Sequence, residues 1–339
     1  MSAESEIAIL YRLRARGAWR IGPESGARDR TGRILHSDSL YSGVTWAMAW
    51  LGYLEDWLKA TTSATPPAVR LSSGFPWQGS RLFIVPPQHL WPPPESSRVR
   101  WKGARFVPVT AVADLLRGKP LNEDAWAVDS ASECLVPANV PAAGPLRPNV
   151  RVSAAVDRWG AAVEPHATAC IEFAADAGVW FCITFADSES RAQWHERVTA
   201  SVRLLADSGL GGERSRGWGG SELVEAREGP LAELLFGKTG WSESESGHWL
   251  LSLYSPAERD EVDWTRGAYA LATRTGRVES EAASGGLKKT SRMIREGSVI
   301  VTSKTPVGAA TDVAPEGFAH PVYRAGYAVS ISVPLRPSA

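Results

Sequence analysis

Cysteine, histidine and net charge are all in short supply in this chain of 339 residues. Its three cysteines, Cys134, Cys170 and Cys182, are odd in number and none is paired at CxxC spacing. That argues against both a disulfide framework and a thiolate zinc site, and it fits a reducing, cytoplasmic setting. The six histidines show neither HxxxH nor HExxH, so no metal is assigned. Formal charge cancels, with 37 basic against 37 acidic residues. This excludes an indiscriminate polyanion binder, and any contact with nucleic acid must come from local basic clusters. The opening MSAESEIAIL lacks the basic and apolar regions of a secretory signal, and no apolar run approaches a membrane span, so a soluble protein without a membrane partner is expected. No Ser/His/Asp or Cys/His arrangement stands out, and acidic pairs such as Glu189 and Glu196 fall on apparent helix surfaces. No catalytic group and no cofactor are assigned.

What is present is apolar residue: 44 % of the chain, including 15 tryptophans, enough for a large core with a few rings left for interfaces. Residues 5–16 alternate as a strand with one basic face. Leu40, Val44, Ala47, Leu51, Leu54 and Leu58 recur at helical spacing, with Ser37 or Asp38 as N-cap. Residues 66–87 suggest two short strands around a Gln78-Gly79 turn, and the prolines from 86 to 94 exclude regular structure there. Residues 120–149 look like a loop. Two β-rich runs over 150–186 flank a polar tip near Trp159–His166 and predict a long hairpin or protruding arm. Asp187 to Ala206 is a second helix that buries Trp194, Val198, Val202 and Leu205. Residues 229–246 resemble a linker, and a second strand-ended unit occupies 247–339. The order strand–helix–strands–hairpin–helix–loop–strand in residues 1–228 predicts an α+β, ferredoxin-like (RRM-like) βαββαβ domain. The second half would be a degenerate copy in tandem.

The sharpest local signal is GLGGERSRGWGG, in which Gly209, Gly211, Gly212, Gly217, Gly219 and Gly220 interleave with Arg214, Ser215, Arg216 and Trp218. Glycines let backbone N–H groups approach an anion closely, and arginines add charge-assisted donors. A flexible turn after a helix cap explains the glycines equally well, although the embedded arginines favour RNA. The loop lacks GxxxxGK[ST] and follows a helix, so it is not a nucleotide loop. His36-Ser37-Asp38 admits three readings: a helix-capping cluster, a set of donors for a phosphate or base, or a site with His36 as general base. Lys288, Lys289, Arg292 and Arg295 form the densest basic run, suited to a phosphate backbone or to a solvated face; if the run is helical, Lys288 and Arg292 share a side. Arg151, Arg158 and Trp159 on the arm would lie across RNA or against another subunit.

Five segments together resemble one family. LHSDSLYSGVTWAMAW, RLSSGFPWQGSRLFIVPP, SGLGGERSRGWGG, MIREGSVI and GFAHPVYRAGYAVSI are similar, in order, to signatures of Csm subunit four, the RAMP-superfamily subunit of type III-A CRISPR (Csm) complexes. The resemblance spans residues 35 to 331 and departs from the pattern in the Pro/Ala-rich stretch 92–149. It implies two ferredoxin-like folds and a non-catalytic role: holding the repeat-derived 5′ handle of the crRNA, with the arm bending over the guide where handle meets spacer and target RNA met only indirectly. The implied partners are the large polymerase-like subunit and the backbone subunit. By position, the glycine loop with Arg214 and Arg216 would hold handle phosphates. His36, Ser37 and Asp38 would lie nearby, and Lys288, Lys289 and Arg292 would flank the groove. A repeat-processing endoribonuclease of the same fold and a purely structural adaptor are the alternatives.

Overall fold

The computed structural model describes residues 6–22, 27–93, 100–139, 144–156, 159–160, 163–237, 241, 245–279 and 284–335. In the N-terminal half, β1 (Ile7–Ala15) leads to α1 (Ser37–Trp50) and α2 (Leu54–Leu58), then to three short strands, β2 (Val69–Leu71), β3 (Phe75–Gln78) and β4 (Arg81–Ile84). β5 (Val107–Pro108), α3 (Val109–Leu116) and the hairpin β6 (Trp126–Asp129) and β7 (Cys134–Pro137) follow. The arm is β8 (Leu146–Val156) with β9 (Val163–Phe173), after which come β10 (Ala177–Phe185), α4 (Ser188–Ser208), β11 (Ser221–Pro230) and α5 (Leu231–Phe236). The sheet order β11-β1-β10-β3-β4-β5 is antiparallel throughout. Counting only β1, β3, β10 and β11, the order is four-one-three-two, with α1 and α4 as the crossovers, the arrangement of a split βαβ unit.

β1 and β10 are buried on both faces. Ile9, Tyr11, Leu13, Phe181 and Ile183 pack with α1 and α4, while Ala8, Leu10, Trp180 and Cys182 face α3 and the C-terminal half. The expected basic face of β1 is therefore confined to its end, where Arg12 pairs with Glu225 at 2.8 Å and lies over the Trp77 ring at 4.0 Å.

Several boundaries move. The first helix stops at Trp50 because Gly52 takes φ +79°, a conformation that ends helices cheaply only at glycine. Neither Ser37 nor Asp38 caps it by side chain; the Ser37 N–H donates to Ser73 Oγ at 2.8 Å instead. Three strands, where two were expected, occupy 66–87, with Gly79 at φ +56° turning the chain between β3 and β4. The expected loop at 120–149 contains the β6–β7 hairpin and the start of β8. The arm is β8–β9 alone, since β10 lies in the central sheet and is wholly buried. The expected linker begins with the end of β11 and α5. By contrast, α4 matches its prediction: Asp187 Oδ1 accepts from the Ser190 N–H at 2.7 Å, Trp194, Val198, Val202 and Leu205 are buried, and Gly209 ends it.

The C-terminal half comprises β12 (Ser246–Leu250), β13 (Val262–Ala268), β14 (Leu271–Arg274), β15 (Arg277–Glu279), β16 (Ser284–Leu287), β17 (Ser291–Ile294), β18 (Val299–Thr302), β19 (Gly308–Asp312), β20 (Tyr323–Tyr327) and β21 (Ser330–Pro334). Its main sheet runs β21-β12-β18-β13. Among these four strands this is again four-one-three-two, so the strand order repeats. The helices do not: among the described residues the only helical turn in this half is Glu258–Asp260, and the β19–β20 ribbon stands before the last strand where a helix was expected. No helix among the described residues is long and apolar enough to cross a membrane.

The halves are joined by a buried polar network. Asp38 accepts from Arg274 Nε at 3.0 Å and Nη2 at 2.9 Å, and Arg324 Nε lies 3.4 Å away. His36 Nδ1 meets Glu296 Oε1 at 2.7 Å, and Ser73 Oγ donates to the same oxygen. Ser37 Oγ accepts from the Leu253 N–H at 3.0 Å. Burial pushes the Glu296 carboxyl up, but the charge of His36 and hydrogen bonds from His36 and Ser73 outweigh it and bring the group down to about 2. Burial likewise raises Asp38, and the Arg274 guanidinium with its bonds, then His36 and Arg324, more than reverse this.

Two outcomes follow from this network. Both carboxyls sit below their unfolded values, so their contribution is complete above the ordinary carboxylate range and is lost as pH falls through the folded values. For Glu296 the window runs from 4.5 to about 2 and amounts to on the order of 3 kcal/mol. Urea unfolding across that window shows a steep acid limb, which Glu296→Gln flattens. Asp38→Asn leaves two buried guanidiniums without their counter-charge and lowers stability by about 3–5 kcal/mol at neutral pH.

Candidate nucleic-acid interface

The glycine loop runs from the end of α4 to the start of β11 and is stitched to the segment after β1. The Gly212 N–H donates to the Arg20 carbonyl at 2.9 Å, Gly219 N–H to Ala18 at 2.9 Å, and Leu210 N–H to Gly219 at 3.1 Å. The Gly209, Arg216, Gly217 and Trp218 N–H groups also donate within the loop or to α4. Most of the expected anion nest is therefore spent on the loop's own fold. The glycines answer to packing: a Cβ would stand 2.5 Å from the Trp218 carbonyl oxygen at Gly209, 2.3 Å from Arg20 at Gly211 and 2.1 Å from Leu210 at Gly219. Only at Gly217, φ +77°, is the surrounding space open.

What the loop presents is side chain. Arg214 places its guanidinium 5.0 Å from the Trp46 ring of α1. Arg216 holds Glu213 at 3.2 Å and donates to His166 Nε2 on β9 at 3.3 Å. Ser215 and Gly217 are exposed beside them. Trp218 is buried with Ala18 and Cys170, so it is a packing residue that carries Arg151 of the arm, whose guanidinium lies 5.5 Å from its ring.

Strand alternation gives the arm two unlike faces. Arg147, Asn149, Arg151 and Ser153 pair with Glu172, Cys170, Thr168 and His166 on one side, the side that meets the loop through Trp218 and His166. Val150, Val152, Ala154 and Val156 pair with Ala169, Ala167, Pro165 and Val163 on the other, and most of that valine surface is exposed. Glu172 sits between Arg147 at 3.1 Å and Arg151 at 3.3 Å. Hydrogen bonds from Asn149, Arg147 and Arg151 hold its carboxyl below its ordinary value. At the tip Trp159 is 99 % exposed; Arg158 lies outside the described residues.

The remaining predicted residues lie elsewhere. His36, Ser37 and Asp38 are buried at 7 %, 4 % and 8 % exposure, committed to the network between the halves and closed to a phosphate, a base or a scissile bond. The basic run is not helical: Lys288 and Lys289 follow β16, and Arg292 lies in β17, paired with Thr273 of β14. Lys289 and Arg292 are exposed on the C-terminal half; the neighbouring Asp312 carboxyl is held below its ordinary value by the Val322 and Ala314 N–H groups, with Lys289 adding to the effect. Arg147, Glu172, His166 and Trp46 were not singled out as site residues. The alternation of Arg147 and Arg151 along β8 was the available signal.

Residues 243–333 match the family model "CRISPR Csm4 C-terminal domain". No curated protein matches the sequence. The chain is similar to a chain in the crystal structure of a Csm3-Csm4 subcomplex in the type III-A CRISPR-Cas interference complex, at 16 % identity and TM-score 0.63, covering 98 % of this chain and 100 % of that one. It is also similar to a chain in a Csm1-Csm4 cassette in complex with cA4, at 18 % identity and TM-score 0.59, covering 97 % and 99 % respectively. At these identities the likeness shows a shared fold over nearly the full length of both chains.

The loop's packing sets a contrast between two substitutions. Gly217→Ala keeps open space and costs about 1–2 kcal/mol for its left-handed backbone alone. Gly219→Ala drives a methyl into the Leu210 carbonyl and costs on the order of 3 kcal/mol or more. Urea midpoints of the two variants rank them.

Proposed function

We propose that this chain, whose C-terminal domain belongs to the CRISPR Csm4 family, is the non-catalytic subunit of a type III-A Csm interference complex that holds the 5′ handle of the crRNA. It bridges the large polymerase-like subunit and the backbone subunit in the cytoplasm, and meets target RNA only indirectly, alongside the guide. Its two halves, 1–228 and 247–339 joined through 229–246, are tandem ferredoxin-like domains, a reading supported by the repeated strand order.

One observation carries the RNA reading. The loop and the polar face of the arm form a single cationic and aromatic surface in which Arg214 meets Trp46, Arg216 meets His166 and Arg151 meets Trp218. In a chain of zero net charge, a local cluster of this kind suits a short single-stranded segment held by phosphates and stacking. Lys289 and Arg292 offer further exposed cations on the C-terminal half, and Trp159 at the arm's tip would stack on or wedge a guide base. The endoribonuclease alternative loses its general base, because His36 is buried against Glu296.

Arg214→Ala with Arg216→Ala tests the reading in the assembled complex. Handle RNA retention falls about tenfold, and the salt dependence becomes shallower by roughly 1–2 in log–log slope. Unchanged retention and slope would favour a purely structural adaptor.

A further inference from the structure

At the root of the arm the fold leaves a cavity of about 490 Å³ between the end of β1, the β6–β7 turn and the first turn of the ribbon. Its size falls within the roughly 300–1,000 Å³ of small-ligand sites. Ala18, Leu146 and Phe173 give it apolar lining, and Arg16, Arg147 and Arg151 bring positive charge to it. Phe173 is held edge-on to Trp19, with centroids 5.7 Å apart, which fixes the aromatic wall. Glu172 lies between Arg147 and Arg151 and keeps both side chains splayed along the strand. Three guanidiniums against the two lining carboxylates, Glu172 and Asp129, leave one positive charge for a ligand. The exposed Arg16–Asp207 pair at 3.6 Å must yield Arg16 to a phosphate, at little cost for a surface ion pair. The second acid of the lining, Asp129, is already occupied, since its Oδ2 accepts from the Ser132 N–H at 3.0 Å, the Gly144 N–H at 3.1 Å and the Ser132 hydroxyl at 2.5 Å.

The cavity is continuous with the glycine loop. Arg16 N–H donates to the Gly220 carbonyl at 3.0 Å, Ala18 accepts from the Gly219 N–H at 2.9 Å, and Arg151 reaches from the cavity wall over Trp218. An apolar cleft with a planar aromatic wall and a guanidinium rim suits a base inside and its phosphate at the mouth. We propose that this cavity receives one unstacked nucleotide of the bound RNA, with the base against Phe173 and the phosphate on Arg16 and Arg147. The proposal rests on the RNA-holding function above and adds a specific subsite to it.

Gly17 lines the cavity, is exposed, and has open space where a Cβ would stand. Gly17→Trp therefore fills the pocket without strain, and Ala131→Trp fills it from the opposite wall. The test uses the full-length chain and single-stranded RNA matching the 5′ end of the guide, with an abasic site placed at each position in turn. Removing one particular base weakens binding to the unaltered chain about tenfold, and the same RNA binds Gly17→Trp and Ala131→Trp as well as intact RNA does. Equal abasic losses in all three chains would overturn the subsite. If intact RNA still binds in an Arg214- and Arg216-dependent way in that case, the RNA-holding function survives. If no chain retains RNA, both fail. AMP alone binding the unaltered chain at micromolar concentration, and lost in Gly17→Trp, would assign the pocket to free nucleotides and also overturn the proposal.

Discussion

The structure depends on a few buried charges that the two halves must satisfy together. Asp38 at the start of α1 is surrounded by Arg274 and Arg324 from the C-terminal half, and Glu296 from that half meets His36. None of these groups is stable in the interior by itself, because an unpaired buried charge costs several kcal/mol. The pairing therefore fixes the register of one half on the other more tightly than apolar contact does. It also fixes α1, whose first N–H is satisfied by Ser73, and through α1 it fixes Trp46, the ring that receives Arg214. The Arg214–Trp46 contact is thus held from behind by a buried network.

The glycine loop illustrates a second constraint. Gly209, Gly211 and Gly219 are dictated by close backbone approach to Trp218, Arg20 and Leu210, and the loop's N–H groups are largely spent in closing it on itself and on the segment after β1. The charge the loop presents is carried instead by side chains, Arg214 and Arg216, on a backbone closed by its own hydrogen bonds. For the function proposed above, a loop closed in this way would lose less entropy on binding than a mobile turn.

Much of this was legible in the sequence. The helical spacing of Trp194, Val198, Val202 and Leu205 marks α4 plainly, and Gly209 marks its end. The arm was visible as two β-rich runs, yet its inner boundary was not: Ala177 to Phe185 has the same β propensity as the arm and differs only in being buried on both faces, which no local pattern reveals. The helix Val109–Leu116 falls in the Pro/Ala-rich stretch 92–149, where the family pattern lapses and the sequence assigns no element. The largest difference concerns His36, Ser37 and Asp38. Three polar residues at a helix start look like a site because their partners lie more than two hundred residues away, and only the fold shows that they are already occupied. The segments MIREGSVI and HPVYRAGYAV supply those partners, Glu296 and Arg324. Signatures that lie far apart in the sequence therefore meet as the two sides of one joint.

That joint also orders events in time. Asp38 and Arg274 are 236 residues apart in the chain, and His36 and Glu296 are 260 apart. Closing contacts of such separation is slow compared with local helix and hairpin formation. During synthesis from the N-terminus, α1 emerges long before the strands that neutralise it. Until the strands that carry Arg274 and Arg324 have been made, Asp38 lacks its buried partners and the second face of β1 and β10 is covered only by α3 and its neighbours in the N-terminal half. The nascent N-terminal half is thus a sheet with one finished face and one waiting face, and its maturation is a docking step governed by the last quarter of the chain.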